Sequence, residues 1–117
     1  MLSADFGQWW AEETGGLPLP LGGNAVKKSL GHEVIEEVSA ILHDSIKYGL
    51  EHRAAGVEHA LPLGRGLDRA LADKFIGMYV NELTLDYGER GRKGVREFLD
   101  RAHHAGLIPQ PVALEFV

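Results

Sequence analysis

Residues 14–28, TGGLPLPLGGNAVKK, leave fewer backbone conformations open than any other stretch of this chain. Pro18 and Pro20 fix φ and donate no hydrogen bond, and each pushes the residue before it out of the helical region, so residues 17–21 are predicted to run extended. Leu17, Leu19 and Leu21 then share one face. A central strand cannot lose alternate donors, which leaves an edge strand or a connector between two bodies. Gly15 and Gly16 punctuate the start and Gly22 and Gly23 the end; paired glycines suit a tight turn, a hinge, or a backbone that lines a ligand. The reading adopted is a crossover whose glycine end faces a cleft. The plainer alternative is a rigid surface loop between two helices.

At 117 residues the chain fits one domain, and a domain of that size buries roughly two-thirds of its unfolded surface. Its 44% hydrophobic and 25% charged residues match globular usage and argue against disorder or a coiled coil. No apolar run approaches the roughly 20 residues of a membrane span, and the opening MLSADFGQWW lacks a basic region before an apolar one, so the expected location is cytoplasmic. The absence of cysteine excludes disulfides and thiolate chemistry. A formal charge of −5 disfavours nucleic acid as a partner. The one basic concentration, Arg90, Arg92, Lys93, Arg96 and Arg101, is interrupted by Glu89, Glu97 and Asp100 and reads as a solvated helix face.

Asp5 with Gln8 has the form of a capping box for a helix over 6–13, on which the adjacent Trp9 and Trp10 splay by about 100°, so that only one is fully buried. Gly15 and Gly16 end it. Ser29 is the expected N-cap of a longer helix over 31–53. Val34, Ile35, Val38, Ile41, Leu42, Ser45, Ile46 and Gly49 recur there at spacings of three and four, marking a core face. A short helix is expected within 54–63, limited by Pro62 and Gly64. After a turn from Gly64, Asp68 caps a helix over 69–85. Its stripes of Leu71, Phe75, Met78 and Tyr79 and of Ile76, Val80 and Leu83 call for packing on two sides. Asp86 with Glu89 repeats the capping pattern for a last helix to about His104, with Val95, Phe98, Leu99 and Ala102 inward and Gly106 as its stop. Residues 112–117 form an apolar tail suited to an edge strand.

Four to five helices with one or two isolated extended segments complete no sheet, and a lone strand in water is unstable. The chain therefore reads as mainly α by itself and as the later part of a larger α/β architecture. The alternative is a small helical domain with irregular ends.

The residues supply no recognisable nucleophile or general base. The spacings of His32, His43, His52 and His59 match no metal motif, and His103 and His104 are adjacent on different faces, so no metal site is expected. There is no GxSxG turn, GxGxxG or P-loop. Gly88, Gly91 and Gly94 recur every three residues, a spacing that permits close packing against a neighbour more readily than it marks an anion site. Asn81, Thr84, Asp86 and Tyr87 form a polar group at a helix junction, read as a capped corner in preference to a ligand contact.

Taken together, FGQWWAEETGGLPLPLGGNAVKKSLG, the helix ending SIKYGLEH, and MYVNELTLDYGERGRKGVREFLDRAHHAGLIP resemble, in one collinear order, the C-terminal part of the 1,4-dihydroxy-6-naphthoate synthase family of the futalosine route to menaquinone. The resemblance implies a two-lobed α/β fold like that of periplasmic binding proteins, with the active site in the cleft. Residues 1–28 would be the end of the second lobe and a crossover, and 29–117 the helical C-terminal part of the first lobe. It further implies a lyase, without metal or organic cofactor, that cleaves cyclic dehypoxanthine futalosine to 1,4-dihydroxy-6-naphthoate and a three-carbon dihydroxyketone. The family's catalytic histidine precedes the WW motif in a segment this chain lacks, and none of the six histidines matches it, so no catalytic residue is assigned and the isolated chain is expected to be inactive.

Leu19, Pro20, Leu21 and Gly22 are the expected substrate-binding residues, apolar side chains stacking on the bicyclic product and glycine admitting backbone contacts. The expected partners are a small-molecule substrate and the N-terminal lobe, with neither nucleic acid nor membrane. The paired Gly15 and Gly16 depart from the family, which usually has one glycine there. Alternatives are a chorismate dehydratase or solute-binding lobe of the same fold, for which LPLPLG is the less apt crossover, and a non-catalytic helical module binding a partner through Trp9, Trp10 and the apolar tail.

Overall fold

The computed structural model describes residues 4–64 and 66–117. Six α-helices account for most of them: α1 (Phe6–Thr14), α2 (His32–Glu51), α3 (Arg53–Ala60), α4 (Arg69–Tyr79), α5 (Glu82–Leu85) and α6 (Gly88–His104), with 3-10 turns at Lys28–Leu30 and Leu61–Leu63. Two compact units result, Met1–Ala25 with Tyr87–Phe116, and Val26–Asp86 with Val117.

The first unit is built around Trp10. Asp5 caps α1 by accepting the Gln8 N–H at 3.0 Å, while the Gln8 side-chain amide donates to Glu12. The cap places Trp10 inward, 2% exposed, and leaves Trp9 52% exposed. Phe98 of α6 meets the Trp10 ring edge to face at 5.7 Å, and the Arg101 guanidinium lies over it at 5.3 Å. Helix α1 closes on two consecutive left-handed residues, Gly15 at φ 68° and Gly16 at φ 93°, and the Gly16 N–H donates to the Ala11 carbonyl at 2.7 Å. Side chains other than glycine are strained in that region, so the turn itself accounts for both glycines. The tail after α6 is anchored through Phe116, which stands perpendicular to Tyr87 at 5.9 Å and under Arg92 and Arg96.

In the second unit, α3 packs on α4, and α2 contacts α3 and α5. Val57 of α3 and Ala72 of α4 are its buried apolar residues. Arg53 ties the pair, its Nε donating to Asp73 Oδ1 at 2.7 Å and a terminal nitrogen to the Asp73 carbonyl at 2.6 Å, and Arg69 pairs with Glu58.

Several expectations are corrected. Ser29 lies in a 3-10 turn and Gly31 occupies the N-cap of α2. The helix expected over 69–85 is two helices: α4 stops at Tyr79, Val80 is extended, and Asn81 caps α5. Asn81 competes with the helical ladder, its side-chain amide donating to the Gly77 carbonyl at 3.2 Å and its Oδ1 accepting the Leu83 N–H at 3.0 Å. Tyr87, not Asp86, is the N-cap of α6. No strand occurs among the described residues, so neither residues 17–21 nor 112–117 form an edge strand. Asp68 does cap α4, accepting the Leu71 N–H at 2.8 Å. The turn expected from Gly64 includes Arg65, which lies outside the described residues.

Burial also falls short of expectation. The chain exposes 9348 Å², where a folded monomer of 12.8 kDa exposes about 6,300 Å², and two independent units of half that mass about 7,600 Å² together. About half of the unfolded surface is buried rather than two-thirds. Much of the excess is apolar: Val34, Ile41 and Leu42 of α2, and Leu71, Phe75 and Met78 of α4, all face solvent.

Candidate functional site

The extended segment that follows α1 is held by several contacts within the first unit. Thr14 Oγ1 donates to the Trp10 carbonyl at 2.7 Å and accepts the Leu17 N–H at 3.2 Å, which turns the chain and buries Leu17. The Trp10 indole N–H donates to the Pro18 carbonyl at 3.1 Å. Helix α6 then approaches so closely at Gly94 that a Cβ there would stand 2.7 Å from the Pro18 oxygen. Arg90 donates to the Gly16 carbonyl, and Arg101 bridges Glu97 at 2.8 Å and the Glu13 carbonyl at 3.2 Å.

Along the candidate residues exposure rises toward the glycine end. Leu19 and Pro20 are half-buried, Leu21 is 54% exposed, and Gly22 is exposed with nothing within 4 Å of where a Cβ would point. At Gly23 a Cβ would meet the Tyr87 hydroxyl at 3.2 Å. The three leucines that share a face in an ideal extended chain thus grade from buried to open. A separate shallow groove, lined by Asp5, Phe6, Trp9 and Glu12 among others, shares no residue with this segment.

The arginines of α6 are the residues whose part in this arrangement sequence reasoning missed. They read as a solvated face, yet Arg90 and Arg101 tie down the chain around the crossover, and Arg92 and Arg96 cover Phe116. The glycine spacing did carry a signal, because Gly91 and Gly94 are buried and Gly94 admits the Pro18 backbone.

The other candidates are spent locally. Asn81 and Thr84 form a capping box, with Thr84 Oγ1 accepting the Asn81 N–H at 3.1 Å and donating to the Tyr79 carbonyl at 2.8 Å. His52, His103 and His104 direct Nδ1 to the carbonyls of Tyr48, Ile108 and Asp100. Among the described residues no three His, Asp or Glu side chains are placed to hold a metal ion, and no helix is long and apolar enough to cross a membrane. Of the surfaces a docking module would present, Trp10 is buried and Phe116 sits on α6, while Trp9 and the tail residues Val112 and Val117 are exposed.

Comparison with known proteins places this arrangement in a family. Residues 2–104 match the family model described as menaquinone biosynthesis. The 1,4-dihydroxy-6-naphtoate synthase of Streptomyces coelicolor is 37% identical over 115 residues, 97% of this chain and 40% of that protein. The enzyme of the same name from Thermus thermophilus is 37% identical over 112 residues, 92% of this chain and 39% of that protein. No solved structure matches. The chain spans about two-fifths of the length of these curated relatives, and its motifs follow the order of their C-terminal part. By these matches the chain belongs to the menaquinone-biosynthesis family.

Proposed function

We propose that this chain is the C-terminal portion of a cytoplasmic lyase that converts cyclic dehypoxanthine futalosine to 1,4-dihydroxy-6-naphthoate, working together with an N-terminal lobe in a periplasmic-binding-protein-like fold. The observation that carries the reading is the near-complete, collinear match to two naphthoate synthases of more than twice the length. It is supported by a surface too large for a self-contained folded chain.

In this reading the crossover borders the cleft. Leu19 and Leu21 stack on the bicyclic ring system, Pro20 holds them in an extended geometry without a competing N–H, and Gly22 lets the backbone approach the substrate. The rigid seating of Pro18 against Trp10 and Gly94 supports such a role, because a site residue 1 Å out of place loses much of its effect. Closure of the lobes over the crossover would exclude water from the reacting centre. The acid–base chemistry belongs to the other part of the enzyme.

The test uses the complete enzyme, this chain joined to the N-terminal part of the Streptomyces coelicolor relative. Product formation from cyclic dehypoxanthine futalosine is followed by mass. Leu21→Asp and Gly22→Val are expected to lower turnover by at least roughly tenfold, the loss of about 1.4 kcal/mol of transition-state binding. Unchanged turnover in both would remove residues 19–22 from the site. A complete enzyme inactive on this substrate would remove the lyase reading itself.

A further inference from the structure

Helix α2 has one apolar stripe, and the two edges of that stripe meet different surroundings. At about 100° per residue, Ile35, Ile46 and Leu50 fall on one edge and are half-buried. Val34, Val38, Ile41 and Leu42 fall on the other edge and are exposed, Ile41 at 61%. Ser45 and Gly49 lie between them, also exposed, and no residue of this 20-residue helix is fully buried. Small residues amid branched ones make a shallow strip that admits close approach by a neighbour. Glu36, Glu37, Asp44 and Lys47 lie outside this edge. Helices of this pattern hold their place by packing, since propensity alone leaves them marginal in water.

We infer that the Val34, Val38, Ile41 and Leu42 edge of α2 is an interaction surface, and that its occupant is the polypeptide corresponding to the three-fifths of the naphthoate synthases that this chain does not span. One observation selects that occupant over a second copy of the chain. The relatives carry the additional length as part of the same protein. The surface in excess of two independent units of this mass, about 1,800 Å², is more than the roughly 800 Å² that one partner contributes to a standard interface, which leaves room for such an occupant. The inference rests on the family reading above and assigns the surface through which the two parts join.

The chain contains no cysteine, so a single introduced thiol reports on one position. Ile41→Cys and Lys47→Cys, the latter on the opposite side of α2, are labelled with a maleimide and quantified by mass spectrometry. Labelling is done in the chain alone at several concentrations and in the chain joined to the N-terminal part of the Streptomyces coelicolor relative. The expected result is fast labelling of both thiols in the chain alone, and slowing of Ile41→Cys by at least roughly tenfold in the joined protein, with Lys47→Cys unchanged.

Equal rates for Ile41→Cys in the two proteins would overturn the inference. So would protection that grows with concentration in the chain alone, which would make a second copy the occupant, or a joined protein that fails to give soluble material where the intact relative does. Labelling is read without substrate, so protection with no turnover would uphold the surface and reject the lyase, and turnover with no protection would do the reverse.

Discussion

Gly94 sets the distance between α6 and the crossover. An added Cβ would stand 2.7 Å from the Pro18 carbonyl oxygen, and both sides of that contact are backbone, so relief requires moving a helix or a segment tethered by Trp10 and Arg90. Overpacking of this kind costs about 1–3 kcal/mol, more than the roughly 0.8–1 kcal/mol that alanine gains over glycine inside a helix. Gly94→Ala is therefore expected to lower the denaturant midpoint, and a midpoint equal to or above that of the parent chain would contradict the contact. Gly22→Ala, where the added Cβ meets nothing within 4 Å, is expected to leave the midpoint unchanged. Trp10 shows how much of this was legible. Adjacency of Trp9 and Trp10 on a helix implied that one is buried, but which one depended on where Phe98 and Pro18 arrive from positions 88 and 8 residues along the chain.

Among the elements, α1, α3 and α6 and the start of α4 lie close to where caps, glycines and prolines indicated, because those signals act within a few residues. The junction after Tyr79 was not legible as a break. Residues 69–85 are periodic enough for one helix, and the interruption comes from Asn81, whose side chain takes the Gly77 carbonyl and the Leu83 N–H while its own N–H goes to Thr84. Asn81→Ala is expected to cost roughly 1 kcal/mol through loss of the cap, within the 0.5–2 kcal/mol range for such positions. Thermal melting followed by circular dichroism measures it, and a variant that melts with the parent would mean the box carries no stability. The long helix α2 has the reverse history. Its apolar face was plain from spacing, but one edge of that face, Val34, Val38, Ile41 and Leu42, is exposed.

For the molecule as a whole, the number that matters is 9348 Å² of exposed surface. Denaturant sensitivity scales with the surface released on unfolding, and this chain releases about three-quarters of what a fully packed domain of its mass would. Its urea m-value is expected to be lower by that proportion, and an m-value typical of a packed 117-residue domain would show that the open apolar faces find cover in solution. The Pro-Leu alternation, the Asp5 and Asp68 caps and the helical periodicity were set by the sequence alone, because each follows from local sterics and hydrogen bonding. So was the family, since collinear motifs need no coordinates to be compared. Tertiary structure decided that Trp10 is the buried tryptophan, that the α6 arginines grip the chain around the crossover, and that the extended segments find no strand to pair with among the described residues. Those outcomes depend on contacts between residues far apart in the chain, and periodicity says which face is apolar without saying what meets it.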